Sequence, residues 1–114
     1  MITSKRHQQA LEYALNVIRN SPVFPYVAGV YLFGSCAKQT ETWESDVDLL
    51  MELRPAVELA EDLRRPLRML KSDVTTDCLE DPEVDLKIVV GDKWRRSNML
   101  FFENVRKDGV LLCL

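Results

Sequence analysis

The chain has 114 residues, 46% of them hydrophobic, which is enough for one core, so a single domain spanning 1–114 is expected. Net charge is −3 and the basic residues are interleaved with acids, as where Arg64 and Arg65 follow Glu61 and Asp62. That balance argues against stable unaided nucleic-acid binding, which needs a positive surface facing the phosphates, but it leaves room for a nucleotide whose charge a bound metal neutralises.

In chain order, Met1 to Arg6 leads into polar residues and not into an apolar signal-peptide stretch, and nothing is long enough to span a bilayer, so no membrane contact is expected. Leu11, Ala14, Leu15 and Ile18 recur at helical spacing within a helix predicted from about residue 5 to 20. His7 precedes that stripe and reads as a surface residue. Ser21-Pro22 ends the helix, because the residue before proline avoids the α region. Residues 26–33 (YVAGVYLF) are short and dense in β-branched and aromatic side chains, and so predict a buried strand that stops at Gly34-Ser35. A short helix is expected over 36–40.

Residues 46–53 (DVDLLMEL) predict a strand on which Asp46 and Asp48 share one face while Val47, Leu49, Met51 and Leu53 take the other. Glu52 shares the acid face and is expected to be solvated. Pro55 suits a first helical turn. Ala56, Leu59, Ala60, Leu63, Leu67 and Leu70 then form a core-facing stripe, with a kink or early end near Arg65 caused by Pro66. After a polar, acidic connection, residues 84–90 (VDLKIVV) give the third strand. A last helix over about 97–107 is closed by Asp108-Gly109, with the glycine expected in the left-handed region. The apolar tail 110–114 is expected to add a strand or pack on the core, with a protein interface as the alternative. Helices alternating with at least three strands define an α/β domain. The cysteines Cys36, Cys78 and Cys113 lie far apart without a CxxC pair, which suits free thiols in a reducing cytoplasm better than disulfides or zinc.

The chemistry gathers on a few residues. Asp46 and Asp48, roughly 7 Å apart at their Cα atoms, can converge on one or two hard cations. Asp85 would join them from a neighbouring strand, because its apolar neighbours face the other way. Asp77 is the second choice, ahead of Asp81 and Asp92. Two metals held this way stabilise the entering and leaving oxygens of an in-line displacement. Gly34 lets backbone approach a phosphate without a Cβ in the way, and Ser35 offers a hydroxyl and an N–H at a helix start. Ser45 reads as support for the acids through bonds to backbone N–H groups. Lys87 lies on the acid face, facing a phosphate, the carboxylates or solvent. Trp43 reads as a partly buried loop anchor in preference to a base-stacking platform.

The stretch GSCAKQTETWESDVDLL, followed by VDL at 84–86 and FFENVRKDGVLL at the C-terminus, resembles the signature of the DNA polymerase beta-like nucleotidyltransferase superfamily in its minimal single-domain branch. The resemblance runs from the first helix to the C-terminus. It implies the nucleotidyltransferase fold, a small mixed sheet of three or more strands packed with about four helices. It also implies Mg²⁺-dependent transfer of a nucleotidyl group, with AMP from ATP the expected donor chemistry among nucleoside triphosphates. Asp46, Asp48 and Asp85 would be catalytic and metal-binding, with Gly34, Ser35, Lys38 and Ser45 on the nucleotide. In that branch such domains often act as antitoxins toward a HEPN-type helical ribonuclease, so a HEPN-type toxin is the expected partner, and a homodimer or a hetero-oligomer the expected assembly. Family members often carry arginine at the positions of Cys36 and Lys38 and glycine at that of Gln39. Lys38 keeps the charge without arginine's bidentate grip. The alternatives are a non-catalytic module that neutralises a partner by sequestration and a small-molecule transferase of the antibiotic-modifying kind.

Overall fold

The computed structural model describes residues 2–112 and 114. Among these, four α-helices and four strands follow in the order α1 (Lys5–Arg19), β1 (Val27–Phe33), α2 (Gly34–Lys38), β2 (Val47–Leu53), α3 (Arg64–Asp73), β3 (Val84–Val90), α4 (Leu100–Asp108) and β4 (Val110–Leu112). The strands form one mixed sheet in the order β3-β2-β1-β4. β1 is antiparallel to both β2 and β4, while β2 and β3 are parallel. A parallel pair needs a long crossover, and the segment containing α3 supplies it. The mixed α/β architecture expected from the sequence is the one observed.

Strand alternation divides the interior into two layers. Val30, Leu32, Leu49, Met51, Val84 and Leu86 point to the face covered by α1 and α3, where they meet Leu11, Ala14, Ile18 and Leu70. Leu50 points the other way, into a smaller cluster with Trp94 and Val105, flanked by Tyr31, Phe33, Phe101 and Phe102. Each fully buried aliphatic side chain in these layers contributes about 1.5–3 kcal/mol. The stripe of α1 is as expected, capped by Ser4, whose hydroxyl accepts from the His7 N–H. No helix among the described residues is long and apolar enough to cross a membrane.

Several local expectations are corrected. The stretch after Pro55 forms two short 3₁₀ turns, Pro55–Leu59 and Glu61–Leu63, before α3 begins at Arg64. Pro66 therefore sits in the first turn of α3, where a missing N–H costs no helical bond, and neither kinks nor ends the helix. Val57 takes the inward position and Leu59 is 87% exposed. Gly109 is extended (φ −69°), not left-handed. A glycine is needed there because a Cβ would overlap the Val105 carbonyl oxygen, which accepts from the Gly109 N–H at 2.8 Å. The tail does add a strand: Val110–Leu112 pairs with β1, while Cys113 lies outside the described residues.

Candidate active site

The carboxylates gather at the end of the sheet where β1 finishes and β2 and β3 begin. β1 and β2 are antiparallel, so Phe33 stands opposite Asp48 and the chain leaves β1 at Gly34, beside that carboxylate. β2 and β3 are parallel with Asp48 opposite Asp85. Directly paired residues on strands about 4.8 Å apart project from the same face. Asp46, the residue before β2, is exposed, and Asp48 and Asp85 are half-buried.

The charges of the other two acids bear on Asp48. The Asp48 carboxyl is pushed up to about 6, first by burial and then by the charges of Asp85 and Asp46, against the opposing pull of Lys87. Lys87 sits two residues along β3 with its Nζ 3.3 Å from Asp85. A crowd of hard oxygen donors with excess negative charge suits a hard divalent cation of the Mg²⁺ class. Among the described residues, no three acidic, histidine or cysteine side chains stand together closely enough to hold a metal ion. Sharing a cation would therefore require the three carboxylates to move closer together.

Gly34 has φ +73°, and a Cβ there would overlap the Asp48 carboxylate. Ser35 follows it in the first turn of α2. Cys36 is buried beneath, its thiol donating to the Asp46 carbonyl at 3.5 Å. Burial, and then the charges of Glu41, Asp48 and Asp46, hold this thiol up at about 11, so it stays protonated. Lys38 turns toward α4, where its Nζ pairs with Asp108 at 3.5 Å. The Ser45 hydroxyl accepts from the Thr42 N–H at 2.9 Å and closes the loop before Asp46. Gln39 ends α2 in the left-handed region, at the position where the resembling family often has glycine. Beside Asp46 a cleft of about 740 Å³ opens between residues 43–46, residues 79–83 and Arg6. Of the competing acids, Asp81 lines this cleft but accepts from the Thr76 hydroxyl at 2.7 Å, while Asp92 pairs with Arg96 at 3.6 Å and Asp77 lies in the connection after α3.

Three side chains differ from their sequence reading. His7 is not at the surface but 1% exposed, with Nδ1 2.7 Å from the Ser4 hydroxyl and Nε2 2.8 Å from the Ser45 carbonyl oxygen. Its position extends the series Leu11, Ala14, Ile18 by one turn, a signal present in the sequence. Glu52 is not solvated but buried, accepting from Trp94 Nε1 at 2.7 Å and from Arg95 at 2.9 Å. Leu50, between Asp48 and Glu52 on the same face, marks that face as covered beyond Asp48. Trp43 is 68% exposed, with the Arg6 guanidinium 3.7 Å from its ring centroid.

Comparison with known proteins agrees with this fold. Residues 15–107 match the model of a family described as nucleotidyltransferase domain. No curated protein matches the chain. Among solved structures, the fold is similar to that of a Sulfolobus solfataricus protein named provisionally as a nucleotidyltransferase (TM-score 0.56, 21% identity, covering 97% of this chain and 89% of that one). It is also similar to a chain in a crystal structure of a toxin–antitoxin with AMP-PNP (TM-score 0.52, 21% identity, covering 90% of this chain and 71% of that one). At such identity the two structures speak for the fold.

Proposed function

The chain belongs to the nucleotidyltransferase domain family, and on that premise we propose that it transfers a nucleotidyl group, AMP from ATP, to a hydroxyl on a partner polypeptide in a Mg²⁺-dependent reaction. The observation that carries this reading is the registered pair Asp48 and Asp85, with Asp46 beside them and the bare Gly34 against the Asp48 carboxylate. Asp46, Asp48 and Asp85 would hold the cation. When bound there, it supplies neutralisation of phosphate charge and stabilisation of the entering and leaving oxygens. Gly34 and Ser35 present backbone to the triphosphate without a side chain in the way.

The acceptor hydroxyl forms a bond to the α-phosphorus as the bond to the bridging oxygen breaks, and pyrophosphate leaves. Asp85, on the outer strand of the pair, would receive the hydroxyl proton. The cleft between residues 43–46 and 79–83 gives a polypeptide acceptor room beside Asp46. A toxin–antitoxin structure holding AMP-PNP has this fold, which supports a toxin, of the HEPN type implied by the sequence resemblance, as acceptor and ATP as donor.

Incubation with α-labelled ATP, Mg²⁺ and a HEPN-type toxin tests the proposal. Label should pass to the toxin, and should stop passing with Asp46→Asn plus Asp48→Asn. Label transfer undiminished in that double variant would rule the mechanism out. Neutralisation of the toxin by the folded double variant would instead favour sequestration.

A further inference from the structure

Two consecutive residues in the first turn of α1 hold the two loops that flank the acidic end of the sheet. Arg6 reaches outward: it donates to the Trp43 carbonyl at 3.0 Å and to the Glu80 carbonyl at 2.6 Å, and stacks on the Trp43 ring. His7 reaches inward, 1% exposed, to the Ser45 carbonyl oxygen. A carbonyl oxygen only accepts, so the ring nitrogen facing it, Nε2, carries a proton. Nδ1 is held by the Ser4 hydroxyl, which fixes the ring's rotation.

The group that His7 grips belongs to the residue immediately before Asp46. Asp46 lies outside the regular hydrogen bonding of β2, which begins at Val47, so the strand ladder does not by itself set where its carboxylate starts. The main chain there is held by backbone bonds on either side, from the Ser45 N–H to the Thr42 carbonyl at 3.1 Å and from the Val47 N–H to the Glu83 carbonyl at 2.9 Å, and by two side chains, His7 on the Ser45 carbonyl and the Cys36 thiol on the Asp46 carbonyl. Of the two side-chain ties, the imidazole is the shorter and stronger, since a thiol is a weak donor. A core filler would need only apolar bulk at position 7, as at Leu11. The sequence instead places in a nearly water-free position a ring whose two nitrogens are both engaged.

We propose that His7, donating from Nε2 to the Ser45 carbonyl, is a positioning residue that sets Asp46 against Asp48 and Asp85 for divalent-cation binding. This rests on the reading of those three acids as the cation site.

The test is Mn²⁺ affinity, read from the electron paramagnetic resonance signal of the free ion, for wild type, Asp46→Asn, His7→Leu and His7→Gln, each checked for folding by circular dichroism. His7→Leu should bind about tenfold more weakly, the scale on which residues supporting a metal ligand act. His7→Gln, whose amide N–H can replace the Nε2 donor, should recover most of that loss. Folded His7→Leu with wild-type affinity, or His7→Gln no better than His7→Leu, would overturn the proposal. Should His7→Leu not fold, ¹⁵N–¹H correlation of the wild-type ring decides: a protonated, slowly exchanging Nε2 is expected, and an unprotonated Nε2 overturns it. Asp46→Asn binding as tightly as wild type would remove the cation site itself, a failure distinguishable because it needs no His7 variant to appear.

Discussion

Asp48 and Asp85 stand level with each other on the parallel strands β2 and β3, two carboxylates side by side on one face of the sheet. In the absence of a cation this arrangement works against the fold. Burial disfavours the Asp48 charge, and Asp85 and Asp46 add repulsion that Lys87 only partly offsets. The site thus holds an unfavourable charge arrangement that a bound cation would relieve, and the consequences can be measured.

Asp48→Asn should stabilise the cation-free protein at pH 7. The folded-state pKa of Asp48, about 6, lies above its ordinary value of 3.8, so the fold favours the protonated form. That favourable contribution is whole below 3.8 and is lost as pH rises to about 6. Allowing for solvent on the half-exposed side chain, removing the charge should gain on the order of 1 kcal/mol. Thermal unfolding in EDTA should show the variant melting a few degrees higher at pH 7, with the difference shrinking as pH falls toward 5. A variant that melts lower at pH 7 would show the acids to be mutually supported.

Cation affinity should depend on pH through the same group. A proton on Asp48 competes with the ion, so Mn²⁺ affinity should be flat above pH 6 and fall by up to about tenfold per pH unit below it. Calorimetric titration at several pH values between 5 and 8 measures this. Unchanged affinity across that range would mean that Asp48 is not a ligand.

Gly34→Ala should cost both stability and cation binding. The backbone there is left-handed, which costs a residue bearing a Cβ about 1–2 kcal/mol, and the added carbon would overlap the Asp48 carboxylate. Denaturant unfolding together with Mn²⁺ titration should show both losses. A loss of stability with cation affinity intact would separate the turn from the site.

Glu52→Ala should destabilise the protein while sparing the site. Trp94 Nε1 and Arg95 would lose their shared acceptor, and an orphaned buried donor costs about 1–3 kcal/mol. Tryptophan fluorescence should report a loosened Trp94, and Mn²⁺ affinity of the folded protein should stay within about twofold of wild type, as for changes away from special sites.

Much of this was legible in the sequence because the signals were periodic. The alternation of 84–90 predicted β3 at its observed limits, and the stripe of α1 predicted its buried face. The Asp-x-Asp alternation likewise put Asp48 on the face to which Asp85 also points. What escaped depended on neighbours that no local pattern names. Glu52 looks solvated by alternation, and only the packing of Trp94 after β3 buries it. Pro66 reads as a helix breaker until α3 is seen to start at Arg64, two residues before it. His7 was within reach of the helical period, but a histidine at its edge reads as surface until the Ser45 carbonyl is seen 2.8 Å away.

The most direct test is a crystal structure of the protein grown with Mn²⁺ and a non-hydrolysable ATP analogue, with the ion located by its anomalous signal. Mn²⁺ is expected within about 2.2 Å of carboxylate oxygens of Asp46 and Asp48, as hard oxygen ligands require, with Asp85 facing it and the triphosphate against Gly34 and Ser35. A triphosphate bound elsewhere, or an ion with none of these carboxylates among its ligands, would contradict the assignment.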